Sequence, residues 1–214
     1  KKVSNLLNFN LNNFKNIYGS INLQTKINLD LDKDYKLLQL SYYTEGDIQD
    51  LSIDINELRF IKKYLPSYKD KINFKNTKVK FIKSKSALTT EIEGLLKISE
   101  EFDSFKINSK FDYDKKKHEI EGLLDLTNSK INILKLNYKK DSRIDSTINF
   151  NTNFTTQNFY NINELKFSEG KTQIHLSNIK LNKNYETKDF DVIQIKTNRN
   201  KIKNNDFSAT KNKN

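Results

Sequence analysis

The feature that most constrains this chain is an apolar alternation of period two that recurs over nearly its whole length. In "SINLQTKINLDLD", Ser20 to Asp32, an extended backbone puts Ile21, Leu23, Ile27, Leu29 and Leu31 on one side and Asn22, Gln24, Lys26, Asn28, Asp30 and Asp32 on the other. The pattern returns at Leu38, Leu40 and Tyr42, at Leu51, Ile53 and Ile55, at Phe105, Ile107, Phe111 and Tyr113, and at Ile120, Leu124 and Leu126. It continues at Ile144, Ile148 and Phe150, at Ile174 and Leu176, and at Ile193 and Ile195. Half-buried strands read this way, and the spacing gives about 13 of them. The expected fold class is therefore all-β.

Short polar connections separate the strands, as in "YDKKKH" (Tyr113 to His118), "YKKDSR" (Tyr138 to Arg143) and "KNYETKD" (Lys183 to Asp189). Such spacing belongs to successive antiparallel hairpins, a meander. One helix is expected over 56–65, "NELRFIKKYL", with Asn56 as cap, Leu58, Ile61 and Leu65 on one face and Pro66 as terminator. It can plug one end of the sheet or cross it. Residues 1–199 read as one continuous β unit and 200–214 as a polar C-terminal segment. Four of the five glycines follow Glu, at Gly46, Gly94, Gly122 and Gly170, a weak repeat of hairpin construction. Parity slips by one residue after Ile133 and again between Leu176 and Ile179. A slip needs a bulge to keep the apolar set on one face, and bulges bend a sheet.

A meander of this size, at roughly 4.8 Å per strand, runs on the order of 60 Å in its hydrogen-bonding direction and must curl, split or close. Closure as two facing sheets gives a sandwich; curling alone gives an open groove with an apolar lining. The expectation is the open groove. An apolar surface of that extent must be covered or hold something apolar. Acyl chains suit it, since each buried methylene contributes about 0.8 kcal/mol without any specific contact. Where alternation is clearest, the expected lining residues are Leu23, Ile27, Leu29, Leu124, Leu126, Ile148 and Phe150.

The materials of catalysis are scarce. There is no Cys, so thiolate nucleophiles, thiolate metal sites and disulfides are excluded. The two His, His118 and His175, have no second ligand at metal spacing, and "DLDKD" at Asp30 to Asp34 lacks the Gly and terminal Glu of a calcium loop. Five glycines leave no phosphate loop or nucleophile elbow. The expectation is a non-enzyme with no cofactor and no metal. Lys and Arg total 38 against 27 Asp and Glu, a net charge of +11, but the excess is spread from end to end and all but Arg59, Arg143 and Arg199 of it is Lys. The basic stretch "LKLNYKK", Leu134 to Lys140, reads as strand plus turn rather than a nucleic-acid platform. Scattered, solvated lysine is the expected reading of the charge; the alternative sets Lys115, Lys116, Lys117, Lys139 and Lys140 on hairpin tips at one rim, where they could face anionic headgroups.

The succession "EGLLKISEEFDSFKINSKFDYDKKKHEIEGLLDLTNSKINILKLNYKKD", Glu93 to Asp141, with "FDVIQIKTNRNKIKNNDFSATK", Phe190 to Lys211, resembles the AsmA-like family of the Gram-negative envelope, of the TamB and YhdP type. The resemblance lies in repeated long strands, "EGLLDL" and "LNY" segments and a closing "NDF", and it implies a repeating β-groove fold that carries phospholipid between membranes. It implies no catalytic residues. The chain departs from the family in its few glycines. It also begins Lys-Lys, contains no Met and has no signal-peptide pattern, so it reads as an internal or C-terminal fragment of a periplasmic protein whose inner-membrane anchor precedes it. Two other readings share the alternation: an outer-membrane β-barrel, and a structural β-solenoid or adhesin module. Against the barrel stand the absence of an aromatic girdle at strand ends and the polar interruptions Thr25 and Ser146.

Overall fold

The computed structural model describes residues 14–55, 59–155, 160–182, 186–198 and 205–211. The chain runs β1 (Phe14–Leu31), β2 (Leu37–Ile55), α1 (Arg59–Tyr64), β3 (Lys71–Lys83), β4 (Ala87–Lys97), β5 (Asp103–Asp112) and β6 (Lys117–Asp125). It continues through β7 (Ile131–Ile133), β8 (Tyr138–Lys140), β9 (Thr147–Thr155), β10 (Tyr160–Glu169), β11 (Thr172–Leu181), β12 (Thr187–Asp189), β13 (Val192–Lys196) and β14 (Asp206–Thr210). Twelve strands form one antiparallel sheet in the order β1-β2-β3-β4-β5-β6-β9-β10-β11-β13-β14, with β12 also paired to β11. The order follows the sequence, as a meander must, except that β7 and β8 leave it as a separate hairpin. Strand β14 lies inside the segment 200–214, so the sheet reaches into that polar tail. Of the expected helix 56–65, Arg59–Tyr64 is helical, while Asn56 and Leu58 fall outside the described residues.

The sheet is curled into an open groove and is not closed into a barrel; β1 and β14 are its two edges. Ile48, Val79 and Phe105 are at most 7% exposed within a single sheet, and Phe105 meets Phe74 of β3 edge-on at 5.7 Å across the intervening β4. On a flat single sheet the tops of such side chains stay in water, so their burial requires the sheet to fold in on that side. Bulges supply the bend. Gln49 is the extra residue of β2 against β1, Asn76 and Thr77 interrupt the β3–β4 ladder, and Asn163 interrupts β9–β10. Asn76 and Asn178 hold left-handed backbone at φ 47° and 51°, a conformation Asn tolerates better than most residues. Asn178 is the slip between Leu176 and Ile179. The other slip has a different cause: after Ile133 the chain makes a 3-10 turn, Leu134–Leu136, with Asn137 left-handed at φ 46°.

That turn belongs to a plug. Connections 98–102, 126–146 and 170–171 and helix α1 all lie at one end of the strands, and turns 32–36, 84–86 and 113–116 at the other. At the first end, hairpin β7–β8 packs Ile131 and Tyr138 with Leu126 against Phe167, and Leu65, just past α1, joins them. The segment read as the turn "YKKDSR" is thus partly strand, and Tyr138 and Lys140 are 1% and 0% exposed. Lys140 Nζ donates to the carbonyls of Leu126 and Ser129 at 2.8 Å and of Thr127 and Asp141 at 3.1 Å. A buried ammonium is tolerable only when so surrounded. Nearby, Asp103 accepts from the backbone N–H of Asn128 and the hydroxyl of Ser129, both at 2.8 Å. Burial pushes its carboxyl above the usual range.

Candidate functional site: an apolar trough

Cross-strand partners share a face, so the register sorts the trough lining into rows that run across the strands. The first row is Leu23, Gly46, Val79, Ile92, Ile107, Gly122, Phe150, Leu165, Leu176, Ile193 and Ala209. It contains no polar side chain from one edge to the other. A second row runs beside it through Phe105, Leu124, Ile148, Phe167, Ile174, Ile195 and Phe207. Eleven strands at about 4.8 Å make an apolar band on the order of 50 Å long.

All seven expected lining residues fall on this face. Leu23 and Phe150 stand in the first row, Leu124 and Ile148 in the second, and Ile27 and Leu29 lie opposite Tyr42 and Leu40 toward the turn end. They are not equivalent. Leu23, Ile27 and Leu29 on edge strand β1 are 46% to 60% exposed, whereas Leu126, beyond the end of β6, is buried under the plug.

Three of the Glu-Gly glycines are accounted for by close approach, among them Gly94, where a Cβ would lie 2.5 Å from Thr77 Cα. A Cβ on Gly122 would lie 2.6 Å from Phe150 Cζ, so the ring lies over the glycine; a Cβ on Gly46 would lie 1.9 Å from the Asn22 carbonyl oxygen and 2.8 Å from Leu23 Cδ2. These gaps let bulky neighbours lean along the row and fill the trough floor. The Glu before each glycine points to the polar face.

Toward the turn end the lining changes character. A third row carries hydroxyls at Thr25, Thr44, Thr90, Ser109 and Thr152, with Thr25 Oγ1 and Thr44 Oγ1 hydrogen-bonded at 3.0 Å. A fourth is aromatic: Phe111, His118, Phe154 and Tyr160 come from four successive strands of the sheet. His118 is stacked between Phe111 at 4.3 Å and Phe154 at 4.5 Å, ring centre to ring centre, and Tyr113 meets Phe111 edge-on at 5.1 Å. Burial holds the His118 imidazole below its usual range. In the sequence His118 closes the polar connection "YDKKKH". Its parity with Ile120 was the available signal for the apolar face. An aromatic row at strand ends was also not expected; it is built by rings far apart in sequence, with Phe154 reaching His118 because β9 pairs with β6.

The polar face is solvated and internally paired. A hollow of about 530 Å³ there lies in the furrow between the row Asn22, Asp47, Lys78, Glu93, Lys106 and the row Gln24, Glu45, Lys80, Glu91, Asn108. Lys80 and Glu91 approach to 3.4 Å and Lys106 and Glu93 to 3.3 Å, so its charges compensate one another. His175 is on this face with Nε2 3.4 Å from Glu164. Among the described residues no three acidic or imidazole side chains converge as a metal site requires. The alternative five-lysine rim does not form: Lys115, Lys116 and Lys117 are at the turn end, Lys139 is at the plugged end, and Lys140 is inside the plug. The carbonyl cage, invisible in sequence, takes Lys140 out of the solvent.

No protein-family model matches the chain, and no curated protein and no solved structure is significantly similar to it.

Proposed function

We propose that this chain is a non-enzymatic segment of a cell-envelope protein that shelters phospholipid acyl chains in its trough, in lipid transfer or outer-membrane lipid homeostasis, within the periplasm. The observation that carries the reading is the first row, eleven cross-strand positions without a polar atom on any side chain. An enzyme pocket needs a few convergent polar groups; this band offers none, but its length and continuity suit a flexible hydrocarbon that binds by burial alone. The resemblance to AsmA-like proteins agrees with it. Against the barrel reading, β1 and β14 do not pair with each other among the described residues, as closure would require.

Photo-crosslinking residues placed at Ile107 and Leu165 test the proposal, with Lys106 and Lys166 as neighbours of opposite parity. Extraction from a bacterial envelope should give lipid adducts at Ile107 and Leu165 and none at Lys106 or Lys166. Equal labelling of both parities, or none at any position, overturns it.

A further inference from the structure

Strand β1 is 18 residues long, and its outer edge has no partner among the described residues. In an antiparallel ladder alternate residues turn their N–H and C=O groups to opposite neighbours, so every second residue of β1 offers both groups to a strand that is not there. The side chains are bare as well. Ile17, Ile21, Leu23, Ile27, Leu29 and Leu31 are 46% to 60% exposed, although the rows they begin are buried further in, at Ile48 opposite Ile21 and at Val79 in the row of Leu23.

Sheet proteins ordinarily blunt such an edge with a Pro, a charge on the apolar parity, or a short strand. Strand β1 uses none of these. The one Pro of the chain is Pro66, and between Ile17 and Leu31 the only charged residues, Lys26 and Asp30, stand on the polar parity. The other edge of the sheet, β14, has 5 residues. Head-to-tail pairing of β1 with β14 therefore leaves most of β1 open, whereas a second β1 covers it.

The sequence of β1 also fits itself. A two-fold axis through Gln24, perpendicular to the sheet, makes the two strands antiparallel and keeps both troughs on one side. Gln24 then faces its own copy, Ile21 faces Ile27, Ile17 faces Leu31, and Lys26 and Asp30 face Asn22 and Tyr18. Trough-facing positions meet trough-facing positions, and no like charges are opposed. An axis through Lys26 sets that ammonium against itself, and an axis through Asn22 draws in Lys15, the extra residue of β1 in its ladder with β2.

We infer that β1 is the interface of a two-fold dimer, in which the β1 strands of two copies pair antiparallel about Gln24 and join their troughs across one continuous sheet. The pairing needs no lipid. It doubles the apolar band, to on the order of 100 Å at about 4.8 Å per strand.

The chain has no Cys, so single replacements on the exposed polar face report the register. Opposed residues in an antiparallel pair have Cα atoms about 4.5 to 5.5 Å apart, within the roughly 4.4 to 6.8 Å that a disulfide spans. With oxidised glutathione as the electron acceptor, Gln24→Cys should become a covalent dimer. Ser20→Cys and Asn28→Cys should cross-link when mixed and not singly, because each then lies about 27 Å along the strand from its own copy.

Sedimentation equilibrium of the unaltered chain should give a dimer that saturates as concentration rises. Ile27→Lys, which sets an ammonium opposite Ile21 on the apolar parity, should weaken association by about tenfold or more with the circular dichroism of the sheet retained. A chain that is monomeric at every concentration overturns the inference, as does the open-ended growth that β1–β14 pairing gives. Cross-linking of Asn28→Cys alone as readily as Gln24→Cys, or an undiminished dimer in Ile27→Lys, overturns it too.

Discussion

Lys140→Met separates the plug from the rest of the sheet. Methionine fills nearly the same volume but donates nothing, so the four carbonyls around Nζ lose their shared cation. Two of them keep other partners, since the Leu126 carbonyl also accepts from the Ser129 N–H and the Thr127 carbonyl from the Ile144 N–H. The carbonyls of Ser129 and Asp141 bear the loss. Two buried acceptors deprived of a donor cost roughly 1 to 3 kcal/mol each, and no longer dehydrating an ammonium offsets part, leaving about 3 kcal/mol. The penalty is local, because the plug touches the sheet at one end only. Amide hydrogen exchange should therefore speed up about 100-fold from Ile131 to Lys140, as ~1.4 kcal/mol corresponds to tenfold. Exchange in β4 and β5 should be unaltered. The Asp103 carboxyl, pushed up by burial and partly restrained by Lys140, should titrate higher still by NMR. Unchanged exchange across the hairpin, or a uniform loss across the whole sheet, refutes the assignment of Lys140 as the fastening of a local plug.

Gly46→Ala forces a Cβ against the Asn22 carbonyl oxygen, which backbone cannot evade, so β1 should lose protection in hydrogen exchange at a cost of about 2 kcal/mol while β9 to β11 keep theirs. Burial between two phenyl rings holds the His118 imidazole below its ordinary value of about 6.5. The unfolded chain therefore takes up the proton first, and stability should fall as pH drops from about 6.5 toward the folded value; His118→Phe should flatten that part of a thermal-melt series. Ile107→Asp puts a carboxylate into the first row and should abolish fatty-acid binding at a cost of several kcal/mol, whereas Asn108→Asp, on the polar face, should leave binding as it is, measured by displacement of a fluorescent fatty acid.

The faces of the strands were legible because the backbone enforces a period of two and the solvent sorts it. Leu23, Phe150, Leu124 and Ile148 are placed by that rule alone, and the meander follows from short connections. The plug was not legible. "INILKLNYKK" carries alternation, but Asn137 in left-handed backbone and the carbonyl cage of Lys140 turn it out of the sheet, and both depend on a loop that closes only in three dimensions. A lysine going inside has no local signature. The stacking of His118 was hidden for a related reason: removal of β7 and β8 makes β9 the neighbour of β6, bringing Phe154 to a ring 36 positions earlier.

Because each of the eleven strands on the path contributes one position to the first row, the length of the trough and its cross-section are independent variables. Duplicating or deleting a hairpin such as β4–β5 changes the number of positions in each row by two, and the remaining strands still meet antiparallel with their turns at the proper ends. The residues along any one strand alone decide the profile from plug to turn. A gene can therefore tune how far such a trough reaches by copying segments of some tens of bases, without redesigning its lining, and drift in one hairpin alters a single position along its length.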